Sequence, residues 1–219
     1  MHQTSNEFAP ASQGELQRFV QENNSGERLA IYPVGGRTSL NFGRAATRPG
    51  SLVSLAKLTQ TVDYPVRDMT ITVEAGIRMD ELAALLREQG QQLPIDVAQS
   101  NRATLGGVVA TNASGPRRYG LGTMRDYVIG LTAIDAAGRM FHSGGRVVKN
   151  VAGYDLCKLM VGSLGSLAII TQLTLKLKPL PESTVLLWTP FNTFAEIDSA
   201  LNDLQESSAR PVVLDVLNT

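Results

Sequence analysis

Cysteine is nearly absent: Cys157 is the only one in 219 residues, which excludes an internal disulfide and any metal cluster built on several thiolates. Histidine is scarce too. His2 and His142 lie far apart, and the chain has no His-Glu-x-x-His, no Gly-x-Ser-x-Gly and no Cys/His grouping. A catalytic apparatus made wholly of side chains is not what this sequence suggests. Neither sign of charge is in excess. Lys+Arg and Asp+Glu number 20 each, without a basic or acidic run, which leaves no case for a nucleic-acid surface. No apolar run approaches the length that a membrane span needs, and the N-terminus lacks the basic and apolar regions of a secretory signal. These absences lead us to expect a soluble protein of a reducing, cytoplasmic compartment. The phosphate-binding signatures with Gly-Lys-Ser/Thr or Gly-x-Gly-x-x-Gly are missing as well.

What the chain does have is glycine, 20 of them, in a sequence that is 43% hydrophobic and long enough for one good core or two small ones. That balance fits a loop-rich α+β fold in which backbone approaches something closely. Ser12 and Glu15 form a capping box ahead of Leu16, Phe19 and Val20 at helical spacing. Residues 29–31, 52–55, 70–74, 127–135, 139–142 and 167–178 read as strands. In the last, Leu173, Leu175 and Leu177 alternate with Gln172, Thr174 and Lys176. Residues 79–89 read as a scaffold helix that stops at Gly90, and residues 156–161 as a short helix. Cys157 on that short helix reads as a small core residue rather than a nucleophile. Beyond Pro179 and Pro181 the pattern restarts. A strand at 184–188, a helix capped by Thr193 and a strand at 211–217 make one unit. Such a unit cannot cover both faces of its own sheet.

The chain is organised around residues 104–115, TLGGVVATNASG. Thr104 is placed to cap a short helix opened by Gly106 and Gly107, with Ala110 and Thr111 following. A helix start of small residues offers backbone N–H groups, a positive dipole end and no obstruction to a large flat anion. Asn112, Ser114 and Gly115 then tolerate unusual backbone angles. The competing reading is a helix–sheet contact that needs glycine for closeness alone, and the stretch by itself supports both. A second stretch, residues 32–39, YPVGGRTS, places Pro33, Val34, Gly35, Gly36, Arg37, Thr38 and Ser39 in a loop after a strand. Consecutive glycines there suit a backbone nest for phosphate, or an ordinary turn. Arg37 aims at phosphate or at solvent. The third stretch is residues 153–171, GYDLCKLMVGSLGSLAIIT, with Gly165, Ile169 and Ile170.

Taken in register, the three stretches resemble the FAD-linked oxidase family, of the vanillyl-alcohol oxidase or PCMH type, and within it the FAD-binding subunit of bacterial glycolate oxidase. The resemblance covers roughly residues 29–178. It implies a fold of two α/β subdomains with non-covalent FAD between them, since residues 33–39 offer no histidine for a tether. By the same resemblance Pro94, Arg118 and the residues named in the three stretches are cofactor contacts, while Asp96 either contacts the cofactor or caps a turn. It implies residues 1–178 as the FAD-binding domain, divided near 50–60, and residues 179–219 as an incomplete start of a substrate or cap domain.

The family's activity would pass a hydride from a small 2-hydroxy acid to flavin and electrons onward to other oxidase subunits, an iron–sulfur subunit among them. Any membrane association would come through such partners. The alternative is a non-catalytic FAD-binding or scaffolding subunit. Departures support it: Leu164 stands where the family has an acid, Ala168 where it has glycine, and Ser114 interrupts its Asn-Ala-Gly-Gly. Arg118 and Lys149 are the basic residues nearest a matched stretch. Catalytic residues are otherwise unassigned, and no metal ligands are expected.

Overall fold

A computed structural model describes residues 4–145 and 154–217. Two sheets of different construction share the chain. The first has three parallel strands in the order β1-β3-β2, formed by β1 (Thr4–Phe8), β2 (Ala30–Val34) and β3 (Gly50–Ser54). Helix α1 (Gln13–Ser25) makes the crossover from β1 to β2, as parallel pairing requires. Its start is set by Ser12, whose hydroxyl accepts the Glu15 N–H at 3.2 Å, while the Glu15 carboxylate reaches back to the Ala11 N–H at 2.8 Å. Strand β1 was not expected from its sequence. Its pairing with β3, Glu7 opposite Leu52 and Phe8 opposite Val53, supplies the order that local propensity does not.

The second sheet is antiparallel, in the order β4-β5-β9-β7-β8, with β4 (Thr61–Asp63), β5 (Thr70–Glu74), β7 (Val128–Ile134), β8 (Met140–Gly144) and β9 (Ile169–Lys176). On β9 Leu173 and Leu175 are wholly buried, as the alternation predicts. Helices α2 (Met79–Arg87) and α3 (Leu105–Thr111) pack with this sheet, and their Leu82, Leu86, Leu105 and Val109 are wholly buried in its core. A two-stranded ribbon joins β6 (Gln91–Gln92) to β10 (Lys178–Pro179). Between β6 and β9 lie the short helices α4 (Arg118–Leu121), α5 (Met124–Tyr127) and α6 (Leu156–Met160). Thr123 caps α5 by donating its backbone N–H and then its hydroxyl to Asp126, which holds that carboxyl below the ordinary aspartate range.

Helix α1 belongs to the first sheet but is fastened to the second. Leu16 and Val20 pack in a smaller core with Val53 and Leu58 from one side and Ile134 and Ile169 from the other. Thr171 donates its hydroxyl to Gln13 Oε1 at 2.9 Å, and Gln17 and Gln21 donate to the Gly138 carbonyl at 3.0 and 3.1 Å.

The tail departs from expectation. Helix α7 (Phe194–Glu206) forms behind its Thr193 cap, but residues 184–188 and 211–217 form no strands. A strand needs a ladder, and among the described residues none is offered. Leu186, Leu187 and Phe194 are each more than 80% exposed. Hydrogen bonds tie the tail back: the Leu180 N–H donates to the Gly90 carbonyl at 2.8 Å and the Gly120 N–H to the Val212 carbonyl at 3.2 Å.

Candidate functional site

The three glycine-bearing stretches converge. At the end of β2 the chain enters residues 35–36, which lie against residues 102–104 just before α3. A Cβ on Gly35 would overlap the Thr104 hydroxyl, and one on Gly36 would overlap the Arg102 carbonyl. The third stretch closes the other side. The Gly162 N–H donates to the Val109 carbonyl at 3.0 Å and the Leu164 N–H to the Ala110 carbonyl at 2.9 Å. Gly165, at φ +70°, sits so close to Pro33 that a Cβ would lie 2.8 Å from the proline ring. The end of β5 is drawn in as well: Ala75 donates to Thr171 and accepts from Gly106 at 2.7 Å.

These contacts enclose a cleft between the two sheets. From the first stretch Pro33, Val34 and Gly35 line it; from the second, Thr104, Gly106, Gly107 and Ala110; from the third, Gly165, Ile169 and Ile170. Four lining residues were not anticipated: Leu55, Ala75, Leu164 and Ala168. Leu164 and Ala168 carried a signal, since both are departures from the family pattern. Leu55 and Ala75 carried none, because each is an ordinary apolar residue one step past a strand.

Other predicted residues do not line the cleft. Arg37 forms an ion pair with Glu7 at 2.6 Å. Thr38 is half-buried and Ser39 exposed in the loop that follows. Pro94 is buried with Leu93 and Ile95 on either side. Thr111 donates its hydroxyl back to the Gly107 carbonyl at 2.9 Å, and Asn112 ends α3 at φ 52°. Gly115, at φ +67°, is pressed against Asp96. Asp96 in turn accepts Arg117 Nε at 2.7 Å and the Arg117 N–H at 3.0 Å, so it fastens the turn before α4. Arg118 is exposed on α4, and Lys149 lies outside the described residues.

The start of α3 is less generous with donors than its sequence suggests. Thr104 occupies the cap position, but its hydroxyl makes no cap bond. The Leu105 and Gly106 N–H groups are already given to the carbonyls of Ile77 and Ala75. Gly106 is therefore a packing glycine, with Ala75 Cβ 2.9 Å from where its own would be. Gly107 is different. It is exposed, and a Cβ there would meet only the Thr104 hydroxyl at 3.4 Å. The cleft thus joins a floor of Leu55, Ala168, Ile169 and Ile170 to an open glycine surface, with no ionisable side chain among the described residues of its lining. A flat apolar ring joined to a phosphate ester fits this lining: no carboxylate repels the anion, and the ring meets apolar side chains.

Cys157 lies away from the cleft, 3% exposed, with Sγ 3.4 Å from the Ser143 carbonyl it donates to. Burial raises its pKa. A chromogenic disulfide reagent at pH 8 is expected to titrate no thiol in the native protein and one after denaturation. Rapid native reaction would show an accessible thiolate instead.

An α+β protein of two sheets with an apolar, glycine-rimmed cleft between them is the class that this fold defines. The chain belongs to the FAD binding domain family, whose model matches residues 6–144, and FAD is its cofactor. It is 37% identical over 179 residues to D-2-hydroxyglutarate dehydrogenase of Xanthomonas citri pv. viticola, covering 81% of this chain and 38% of that one. It is 33% identical over 207 residues to glycolate oxidase subunit GlcE of Escherichia coli, covering 94% and 57% respectively. A solved structure of alkyldihydroxyacetonephosphate synthase superposes with a TM-score of 0.76 at 25% identity, over 94% of this chain and 38% of that one. The chain therefore spans between 38% and 57% of the length of these relatives.

Proposed function

We propose that the chain is the FAD-binding part of a 2-hydroxy-acid oxidase or dehydrogenase, with residues 1–178 as the cofactor domain and 179–219 as the beginning of a substrate-side domain. The observation that carries the reading is the cleft where the three stretches meet. Gly35, Gly107 and Thr104 would hold the phosphates, while Leu55, Ile169 and Ile170 would exclude water from one side of the ring. When bound, FAD supplies two-electron acceptance from a substrate carbon and release of those electrons to an acceptor. The relatives that are dehydrogenases of D-2-hydroxyglutarate or subunits of glycolate oxidase support a small 2-hydroxy acid as the substrate class. They also support assembly with further oxidase subunits, of which an iron–sulfur protein would suit the electron transfer.

Adding FAD to the purified chain is expected to give one bound flavin per chain, all released to the supernatant by acid precipitation. A folded chain that causes no change in flavin absorbance or fluorescence would sink the proposal. Colour kept by the precipitate would show a covalent link.

A second reading, a non-catalytic FAD-binding subunit, is favoured by the lack, among the described residues, of any ionisable side chain in the cleft lining. Taking a proton from a hydroxy acid and holding its carboxylate needs such groups near the ring. The FAD-loaded chain alone is accordingly expected not to turn over glycolate or D-lactate with a dye acceptor. Steady oxidation at rates typical of enzymes would show that the needed groups lie within these 219 residues.

A further inference from the structure

Between the cleft-lining Gly35 and β3 the chain makes a loop, residues 37–49, that is exposed almost throughout. Its two ends are fastened. Arg37, in the left-handed region at φ 57°, is ion-paired to Glu7, and the Arg48 carbonyl accepts the Tyr32 hydroxyl at 2.7 Å. Between those ends, among the described residues, the bond from the Phe42 N–H to the Ser39 carbonyl only closes a turn within the loop. The loop nevertheless carries two large apolar side chains in water, Leu40 at 54% and Phe42 at 63% exposure.

The third stretch carries two more exposed leucines, Leu164 at 45% and Leu167 at 49%. Leu164 belongs to both places. It lines the cleft, and its Cδ1 lies 3.1 Å from where a Cβ on Gly43 would be. Gly43, at φ +90°, gives the loop a point where it can bend. Exposed apolar side chains lose water when they come together, and a ring bound beside them adds the surface that makes this favourable.

We infer that residues 37–49 are a lid over the cofactor cleft, closing so that Phe42 and Leu40 bury against Leu164, Leu167 and the bound nucleotide. The inference rests on the reading of the cleft as the FAD site. Limited digestion with trypsin tests it, because the bond after Arg44 lies in the middle of the loop while the exposed Arg28 serves as a control away from it. FAD binding is followed in the same samples by quenching of flavin fluorescence. The expected result is that saturating FAD slows cleavage after Arg44 severalfold and leaves cleavage after Arg28 unchanged. Phe42→Ser should keep the apo-protein folded, lose that protection and raise the FAD dissociation rate about tenfold. FAD bound without protection at Arg44, or with the same dissociation rate in Phe42→Ser, overturns the lid and leaves the site standing. No FAD binding by the folded chain overturns both.

Discussion

Gly36→Val is expected to destabilise the apo-protein by about 3 kcal/mol or more, because overpacking against backbone cannot relax as side chains do. At Gly36 a Cβ would fall on the Arg102 carbonyl oxygen, with the Arg102 carbonyl carbon and Ala103 Cα also within 3.0 Å. These atoms are main chain just ahead of α3, and the Ala103 carbonyl is itself bonded to the Met79 N–H at 2.9 Å. To make room, the loop after β2 would have to leave the second sheet. Urea denaturation of the apo-protein should show the lowered midpoint directly. Unchanged apo-stability with lost FAD affinity would instead restore the phosphate nest that the sequence suggests for this glycine.

Gly107→Val is expected to do the reverse. Its Cβ has space in the apo-protein, and valine is a slightly better helix residue than glycine, so apo-stability should hold or rise by a few tenths of a kcal/mol. The added isopropyl group would stand on the open surface of α3 that faces the cleft. Losing close approach of a charged phosphate to that surface should cost about 1.5–3 kcal/mol, a fall in FAD affinity of roughly 10- to 150-fold. Equilibrium titration of wild-type and variant reads it. A variant that binds FAD as tightly as the parent would place the phosphates elsewhere. Gly107 and Gly36 look equivalent on paper, each the second of a Gly-Gly pair. The structure separates them by what a missing side chain would touch.

That contrast marks how far the sequence could be read. Capping boxes at Ser12 and Thr193 were legible because three residues decide them, and both helices begin there. The alternation along β9 was legible because burial of one face has period two. Strand β1 was not, since its order comes from β3, more than 40 residues away. The tail failed in the opposite direction: residues 184–188 and 211–217 have strand composition, but composition supplies no pairing partner. At the site, glycine clusters announced a place of close approach without saying to what. Gly35 and Gly106 line the cleft while also pressed against protein, Gly36 approaches protein without lining it, and Gly107 lines it with space for a side chain. Arg37 could not be placed from sequence because Glu7 lies on a strand that was not expected.

Helix α1, held by Gln13, Gln17 and Gln21 to one sheet and by its crossover to the other, means that neither wall of the cleft is free to drift. The sheets that wall the cleft are set in place by folding, so the ordering left to be lost when a ligand enters is that of the loop 37–49. Affinity then depends on the quality of the lining rather than on assembling it. The same fastening makes both sheets contribute to the smaller core around α1, so they should melt as a single cooperative unit. A chain stripped of its cofactor is expected to keep the walls between which the cofactor returns.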